Sequence, residues 1–239
     1  MSRPTILLLH AFPFDSGMWD GIRPALEDAG HSTAAPDFPG DEPELGFDAW
    51  ARRALAAVEG PFVPVGSSMG GYLAFELWRQ APGRIPALAL VGTRAGADSP
   101  EQREARDDSI RLLGEAGHEP FWEGLAPRLF APGADPAVVA RARELALRRP
   151  LTGLVAAQET IRDRADSRPT LAGIDVPVVV LVGEDDVLTP PAESEAMAAA
   201  LPDARLVRVP GAGHLVALER PGEVAGALLS FLAEAVHDG

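Results

Sequence analysis

A serine lies between closely spaced glycines directly after an apolar stretch of the chain. Ser68 stands two residues after Gly66 and two residues before Gly70, in the pattern Gly-x-Ser-x-Gly. The stretch 62–65 is typical of a strand and 69–80 of a helix, so the serine falls on a strand-to-helix turn. Such a turn is too tight for large flanking side chains, and it places the hydroxyl at a helix N-terminus, which favours negative charge. The pattern predicts that Ser68 is a nucleophile.

Three consecutive carboxylates follow the most apolar stretch of the chain, 178–182. Glu184, Asp185 and Asp186 would lie at the carboxyl end of a strand, where the catalytic groups of open α/β sheets gather. A metal site is a second interpretation, but no histidine is near in sequence and Mg²⁺ would need a phosphate-bearing partner. We favour Asp186 as an acid that orients a histidine, with Asp185 as the local alternative.

One of the five histidines follows a predicted strand late in the chain. His214 ends the glycine-bearing loop 210–214, which comes directly after the apolar stretch 205–209. Its position completes the order Ser, Asp, His that is expected on a sheet of this kind. We therefore predict His214 as the general base. The remaining histidines fit surface, loop or structural positions: His10, His31, His118 and His237.

The loop after the first predicted strand supplies backbone donors. It has the sequence His10-Ala11-Phe12-Pro13. When the nucleophile sits on a strand-to-helix turn, this loop and the residue after the nucleophile donate N–H groups to the oxyanion. We predict Phe12 and Met69 as the two donors, and we expect His10 to bond within the loop.

Six short apolar stretches must position these groups. The predicted strands are 5–10, 32–36, 62–66, 87–91, 176–183 and 205–209, and helices are predicted at 48–59, 69–80, 191–201 and 221–236. Several strands are apolar throughout, which is typical of parallel strands covered on both faces. The alternation of strand and helix predicts the α/β class, with a doubly wound sheet of about six parallel strands.

The alternation stops between residues 99 and 171, where no stretch is typical of a strand. Helices are predicted there at 99–117, 135–149 and 151–164. We predict a helical lid over 99–171, inserted after the strand at 87–91 and counted as lying between strands five and six. The segments 1–98 and 172–239 would form the core. Apolar residues expected to line a pocket below the lid, with core packing as the alternative, are Phe12, Trp19, Met69, Phe121, Trp122, Leu188 and Leu215.

Composition excludes several kinds of chemistry. The 239 residues include no Cys, no Lys and no Asn, so a thiol nucleophile, a Cys-ligated metal and a lysine Schiff base are impossible. The net charge is 21 − 35 = −14, which disfavours nucleic acid and anionic lipid as partners. The first apolar run is too short for a signal peptide or a membrane span. We expect a cytoplasmic protein with no metal and no cofactor, and we leave a homodimer open.

Together these motifs resemble the α/β-hydrolase superfamily over essentially the whole chain. The matching segments are 7–13, 36–40, 66–71, 182–186 and 211–214. Ala11 stands where this superfamily usually has glycine, and its usual first two antiparallel strands have no counterpart, so we expect all six strands to be parallel. Residues 93–98 and 184–191 are most similar to carboxylesterases and 3-oxoadipate enol-lactonase-like hydrolases, a branch that includes cofactor-free haloperoxidase and perhydrolase relatives.

The resemblance implies a serine hydrolase that cleaves carboxylic esters or lactones through an acyl-enzyme on Ser68. Given the net charge, a small to medium uncharged substrate is expected. The alternatives are a C–C bond hydrolase or perhydrolase-like activity with the same triad, and a non-catalytic binding protein of the same fold. A haloalkane dehalogenase is excluded because it needs Asp at the nucleophile position. Arg94 is interpreted as an ion pair at the lid hinge, with anchoring of a substrate carboxylate as the alternative.

Overall fold

A single parallel sheet forms the centre of the molecule. The computed structural model describes residues 3–39 and 46–235; Gly40, residue 236 and His237, which entered the sequence analysis, lie outside these ranges. The strands are β1 (Thr5–Leu9), β2 (Thr33–Ala34), β3 (Phe62–Ser67), β4 (Leu88–Val91), β5 (Val178–Gly183) and β6 (Ala204–Val209). They lie in the order β2-β1-β3-β4-β5-β6, and every neighbouring pair is parallel. The prediction of six parallel strands is confirmed.

Helices connect the strands on both faces of the sheet. They are α1 (Arg23–Asp28), α2 (Phe47–Ala57), α3 (Met69–Gln80), α4 (Pro100–Ala116), α5 (His118–Leu125), α6 (Pro136–Leu147), α7 (Leu151–Arg162), α8 (Arg168–Leu171), α9 (Pro191–Ala200), α10 (Val216–Glu219) and α11 (Pro221–Ala235). Short 3-10 turns occur at Ser16–Trp19, Pro82–Arg84 and Ala126–Arg128. The sequence pattern did not indicate the short α1, and His118 begins α5 instead of a loop. Within the described ranges, no helix has both the length and the apolar character that a membrane crossing requires.

The two faces of the sheet are covered by two separate apolar layers. Leu7 and Leu9 of β1 pack in the layer that contains side chains of α2 and α3. Ile6 and Leu8 of the same strand pack in the layer that contains side chains of α1 and α11. Successive side chains of a strand point to opposite faces, so an entirely apolar strand must be covered twice. This is the doubly wound arrangement that the apolar strands predicted.

The helical segment α4–α8 lies between β4 and β5. Its position after the strand at 88–91 agrees with the prediction, but only three strands precede β4. The insertion therefore lies between the fourth and fifth strands and not between the fifth and sixth. Ser99 begins α4 with a reciprocal capping box to Gln102, and the Asp135 carboxylate caps α6 by accepting from the Ala137 N–H at 2.8 Å. Both caps satisfy backbone donors that a helix start leaves free.

Candidate active site

The turn between β3 and α3 holds Ser68 in a strained conformation. Ser68 has φ 49° and ψ −107°, and it is the only residue other than glycine with positive φ in the described part of the chain. A Cβ atom at Gly66 would lie 2.4 Å from the Gly70 carbonyl oxygen, and one at Gly70 would lie 2.1 Å from the Leu9 oxygen. Only glycine fits at these two positions. Strain of this kind persists where the surrounding packing imposes it, which is typical of functional sites.

Two further loops bring a histidine and a carboxylate to this serine. The His214 Nε2 atom lies 2.9 Å from the Ser68 hydroxyl oxygen, and the His214 Nδ1 atom lies 2.9 Å from Asp186 Oδ2. His214 follows β6 and Asp186 follows β5. The carboxyl ends of all the parallel strands lie at one edge of the sheet, so loops from different strands bring residues 146 positions apart in sequence together. The structure brings together the three residues predicted from their order.

The Asp186 carboxylate is held by four donors. Its Oδ1 accepts from the N–H groups of Leu188 at 2.8 Å and Thr189 at 2.9 Å. Its Oδ2 accepts from the Thr189 hydroxyl at 2.7 Å as well as from the His214 ring. Burial by itself would raise the Asp186 pKa, but the bonds and charge of His214 and the bonds of Thr189 outweigh burial and lower the pKa. Asp186 is therefore ionised and able to orient the imidazole.

The other two carboxylates of this loop have different surroundings. Glu184 and Asp185 are exposed, whereas only 3% of the Asp186 surface is exposed. The Asp185 N–H donates to the Ala212 oxygen at 3.0 Å and thereby ties the loop to the one that carries His214. Among the described residues, no group of three or more His, Asp or Glu side chains could hold a metal ion. The acid contacting His214 is Asp186, as predicted, and not Asp185.

Phe12 and Met69, whose backbone N–H groups were predicted as oxyanion donors, both lie close to Ser68. Met69 is the first residue of α3, and Phe12 lines the cavity above Ser68. No described residue accepts a hydrogen bond from either N–H. Ala11, which stands in the place of a glycine, is held by two hydrogen bonds. Its N–H donates to Met18 Sδ at 3.0 Å, and its oxygen accepts from the Phe14 N–H at 3.0 Å. The N–H groups of Phe12 and Met69 are thus without a protein acceptor, and their role as oxyanion donors stays a prediction.

His10 bonds within and beyond its loop. Its Nδ1 donates to the Ala11 oxygen at 3.1 Å, and its Nε2 accepts from the Phe38 N–H at 2.8 Å. The ring is therefore neutral. Burial lowers the pKa of His10 to about 4. His10 ties the loop after β1 to the loop after β2, which agrees with the expected structural role.

We expect His10 to make the protein less stable as the pH falls. Its pKa is 6.5 in a free chain and about 4 when folded, so the unfolded state takes up its proton first. The contribution of His10 to stability is fully present above pH 6.5 and is lost as the pH falls toward 4, by about 2 kcal/mol between roughly pH 7 and pH 5.

The variant His10→Gln should lose this part of the pH dependence. Urea unfolding of both proteins at several pH values measures it, and the other four histidines are the same in both, so the difference isolates His10. Equal slopes of unfolding free energy against pH would contradict the assignment.

A cavity of about 370 Å³ opens above the serine. Ser68 and His214 line it, together with Phe12, Phe121 and Leu188, three of the residues predicted as its walls. Met69, another predicted wall, is buried beside the serine. The volume lies in the range of small-molecule sites.

Three other predicted wall residues lie in the hydrophobic core instead. Trp19 and Leu215 have no exposed surface, and both pack in the same apolar layer as Trp122. Trp122 makes an edge contact with Phe130, with ring centroids 6.4 Å apart. Consecutive residues of a helix point about 100° apart, so α5 turns Phe121 toward the cavity and Trp122 toward the core. We therefore remove Trp19, Trp122 and Leu215 from the candidate substrate-binding residues.

Glu219 supports the histidine loop, and the sequence pattern gave no sign of it. Its Oε1 accepts from the Gly213 N–H at 2.8 Å, and its Oε2 accepts from the Ala131 N–H at 2.9 Å. Burial raises the Glu219 pKa, partly offset by these two bonds. Gly213 precedes His214, so this carboxylate joins the loop of the histidine to the helical insertion. Thr189 is a second such residue, since its hydroxyl contacts both Asp186 and His214.

A parallel sheet that carries serine, aspartate and histidine side chains after successive strands, in that chain order, is typical of the α/β-hydrolase fold. The chain belongs to the Alpha/beta hydrolase family, whose sequence profile matches residues 6–227.

Similar proteins include esterases and an enol-lactonase, which supports a hydrolase. The chain is 30% identical over 247 residues to a pimeloyl-[acyl-carrier protein] methyl ester esterase of Aromatoleum aromaticum, covering 94% of this chain and 96% of that one. It is 33% identical to a thermophilic esterase from Thermogutta terrifontis solved with malate bound, with a TM-score of 0.92 over 99% and 92% of the two chains. The enol-lactonase from Burkholderia xenovorans LB400 is 26% identical, with a TM-score of 0.81 over 98% and 92%.

Proposed function

We propose that the protein hydrolyses carboxylic esters or lactones through an acyl-enzyme on Ser68. One observation carries the proposal: an unbroken chain of two 2.9 Å contacts runs from the Ser68 hydroxyl through His214 to the ionised Asp186, and Ser68 and His214 line a cavity of small-molecule size. The esterase and lactonase relatives support the same class of reaction.

Acylation follows from the positions of these atoms. His214 Nε2 accepts the Ser68 proton as the hydroxyl oxygen attacks the ester carbonyl, and Asp186 stabilises the resulting imidazolium through Nδ1. The N–H groups of Phe12 and Met69 stabilise the oxyanion, each worth about 3–4 kcal/mol of barrier. The tetrahedral intermediate then expels the alcohol, which takes the proton from His214 Nε2.

Deacylation repeats the sequence with water. His214 takes a proton from the water as the water oxygen attacks the acyl carbon. The proton then passes from His214 to the Ser68 oxygen as the carboxylic acid leaves. Apart from the ester and water, both halves use only groups of this chain. We propose that residues 99–171 act as the lid of this site, because Phe121 of α5 and Arg106 of α4 form part of the cavity wall.

A panel of esters and lactones graded by acyl length tests this function. We expect turnover of short p-nitrophenyl esters, and we expect a fluorophosphonate probe to label the protein at Ser68, as located by peptide mass spectrometry. A protein that neither cleaves any member of the panel nor takes up the probe would be a non-catalytic member of the fold, and the proposal would be wrong.

A further inference from the structure

Two arginine side chains form part of the cavity wall that contains the nucleophile. Arg94 lies between β4 and α4, and Arg106 lies on α4. Both line the same cavity as Ser68 and His214. A guanidinium is a planar, permanently charged donor that matches a carboxylate in two parallel hydrogen bonds. The cavity therefore holds a reactive serine together with two groups suited to bind an anion.

These arginines belong to a cluster with excess positive charge. Arg94, Arg106 and Arg164 all contact the single carboxylate of Asp98, Arg106 through Nε at 3.2 Å and Arg164 through Nη1 at 2.8 Å. The Asp98 side chain has no exposed surface. Burial tends to raise its pKa, but the charges of Arg106 and Arg164 outweigh this and lower the pKa, so Asp98 is ionised. One negative charge against three positive charges leaves an excess of two.

The donors of this cluster are not all satisfied. The two terminal nitrogens of Arg164 bond to the oxygens of Ile161 and Gly96 at 2.8 Å, and its guanidinium lies over the Tyr72 ring at 4.2 Å. The Nε atoms of Arg94 and Arg164 are both buried with no hydrogen-bond partner among the described residues, but only Arg94, whose side chain is 11% exposed, lines the cavity. A buried donor without an acceptor is costly. An anion in the cavity would give the guanidinium of Arg94, which lines it, an additional acceptor.

The net negative charge of the whole chain is not repeated at this cavity wall. Arg128 also lines the cavity, and the lining carboxylate Asp108 is exposed and already paired with Arg111 at 2.5 Å. Local charges decide binding within a cavity, because solvent and salt screen the more distant surface carboxylates. The expectation of an uncharged substrate, which rested on the net charge of −14, is replaced by the local balance.

We infer that this site selects esters that carry a carboxylate, with Arg94 and Arg106 binding the carboxylate while Ser68 attacks the ester carbonyl. The inference rests on the proposed hydrolysis and names its substrate class. The ion pair of Arg94 with Asp98 and the anchoring of a substrate are compatible, because the pair uses one terminal nitrogen and leaves other donors of the guanidinium free.

The test compares matched esters with and without a carboxylate. One arm uses monomethyl esters of C4 to C8 dicarboxylic acids against the methyl esters of the corresponding monocarboxylic acids. A second arm places the carboxylate on the alcohol side, with O-acetyl hydroxy acids against simple alkyl acetates. We expect kcat/KM to favour the carboxylate ester in one arm, and the arm that does so tells which side of the ester faces the arginines.

Variants then assign the preference to the cluster. Arg94→Gln and Arg106→Gln should each lower the ratio of kcat/KM for carboxylate over neutral ester by roughly 10- to 100-fold, as loss of a charged hydrogen bond does. Arg103→Gln is the matched control, because Arg103 lies on the same helix and is exposed, and it pairs with Asp163 away from the cavity lining. Its ratio should equal that of the wild type.

Failure of this inference is separable from failure of the proposed function. Hydrolysis with no preference for carboxylate esters, or arginine variants that keep the wild-type ratio, would overturn the inference while ester hydrolysis stands. If Arg103→Gln lowered the ratio of kcat/KM for carboxylate over neutral ester as much as Arg106→Gln does, the inference would also be wrong, since only the overall charge would then matter. If neither arm showed turnover and the fluorophosphonate probe did not label Ser68, the proposed hydrolysis and the inferred carboxylate preference would both be wrong.

Discussion

Replacement of Ser68 by alanine is expected to lower kcat for ester hydrolysis by about 10⁴- to 10⁶-fold. The hydroxyl is the atom that forms the acyl-enzyme, and alanine offers no substitute for it. Both the oxyanion donors and the cavity would remain, so substrate binding should change little. Single-turnover and steady-state rates with a p-nitrophenyl ester measure the loss.

The neighbouring serine provides the matched control. Ser67 ends β3, is buried and has a hydroxyl oxygen with no hydrogen-bond partner among the described residues. Ser67→Ala should therefore keep the wild-type kcat and the fluorophosphonate labelling, while Ser68→Ala loses both. The residual rate of an enzyme that has lost a triad member is far below one tenth of the wild-type rate. Ester turnover within 10-fold of wild type in Ser68→Ala, with its melting temperature unchanged, would therefore show that Ser68 is not the nucleophile.

Replacement of Asp186 by asparagine should lower kcat by about 10⁴-fold. Two backbone N–H groups, of Leu188 and Thr189, point at Oδ1, so the carbonyl oxygen of the new amide must occupy that place. Its NH₂ group then takes the place of Oδ2 and donates to His214 Nδ1. This forces the ring proton onto Nε2, which can no longer accept the proton of Ser68.

Asp185→Asn is the control for this substitution. Asp185 is the adjacent, exposed carboxylate, and it was the alternative choice for the acid. We expect kcat of Asp185→Asn to lie within about threefold of the wild type, since exposed substitutions away from the site have small effects. A large loss in Asp185→Asn with little loss in Asp186→Asn would reverse the assignment. Thermal unfolding of both variants separates loss of fold from loss of chemistry.

Much of the candidate site was predictable because its signals are local. A strand followed by Gly-x-Ser-x-Gly must turn sharply, whatever the rest of the chain does, and the glycines mark that turn. The apolar strands predicted two covered faces for the same reason: each side chain direction follows from the strand itself. The base and a short run of candidate acids were also indicated locally, since His214 and Asp186 each lie in the loop that follows a strand, although Asp185 stayed an alternative for the acid.

The cavity wall was predicted less well because a wall depends on which way a side chain points. Phe121 and Trp122 are adjacent and both aromatic, so composition treats them alike, yet only Phe121 reaches the cavity. Trp19 and Leu215 are apolar residues near the catalytic loops in sequence, and both are buried in the hydrophobic core. Burial of an apolar side chain is favourable both in the core and in a cavity wall, so hydrophobicity alone does not distinguish the two positions.

By itself, the sequence determined the parallel sheet, the position of the helical insertion and the order of the three candidate catalytic residues. These properties come from periodicity and turn chemistry within short windows. Only the tertiary structure decided which carboxylate contacts His214, that Glu219 supports its loop, and that three arginines converge on Asp98 beside the cavity. Those contacts join residues that are far apart in the chain, and their energies depend on burial and distance, which appear only when the elements pack.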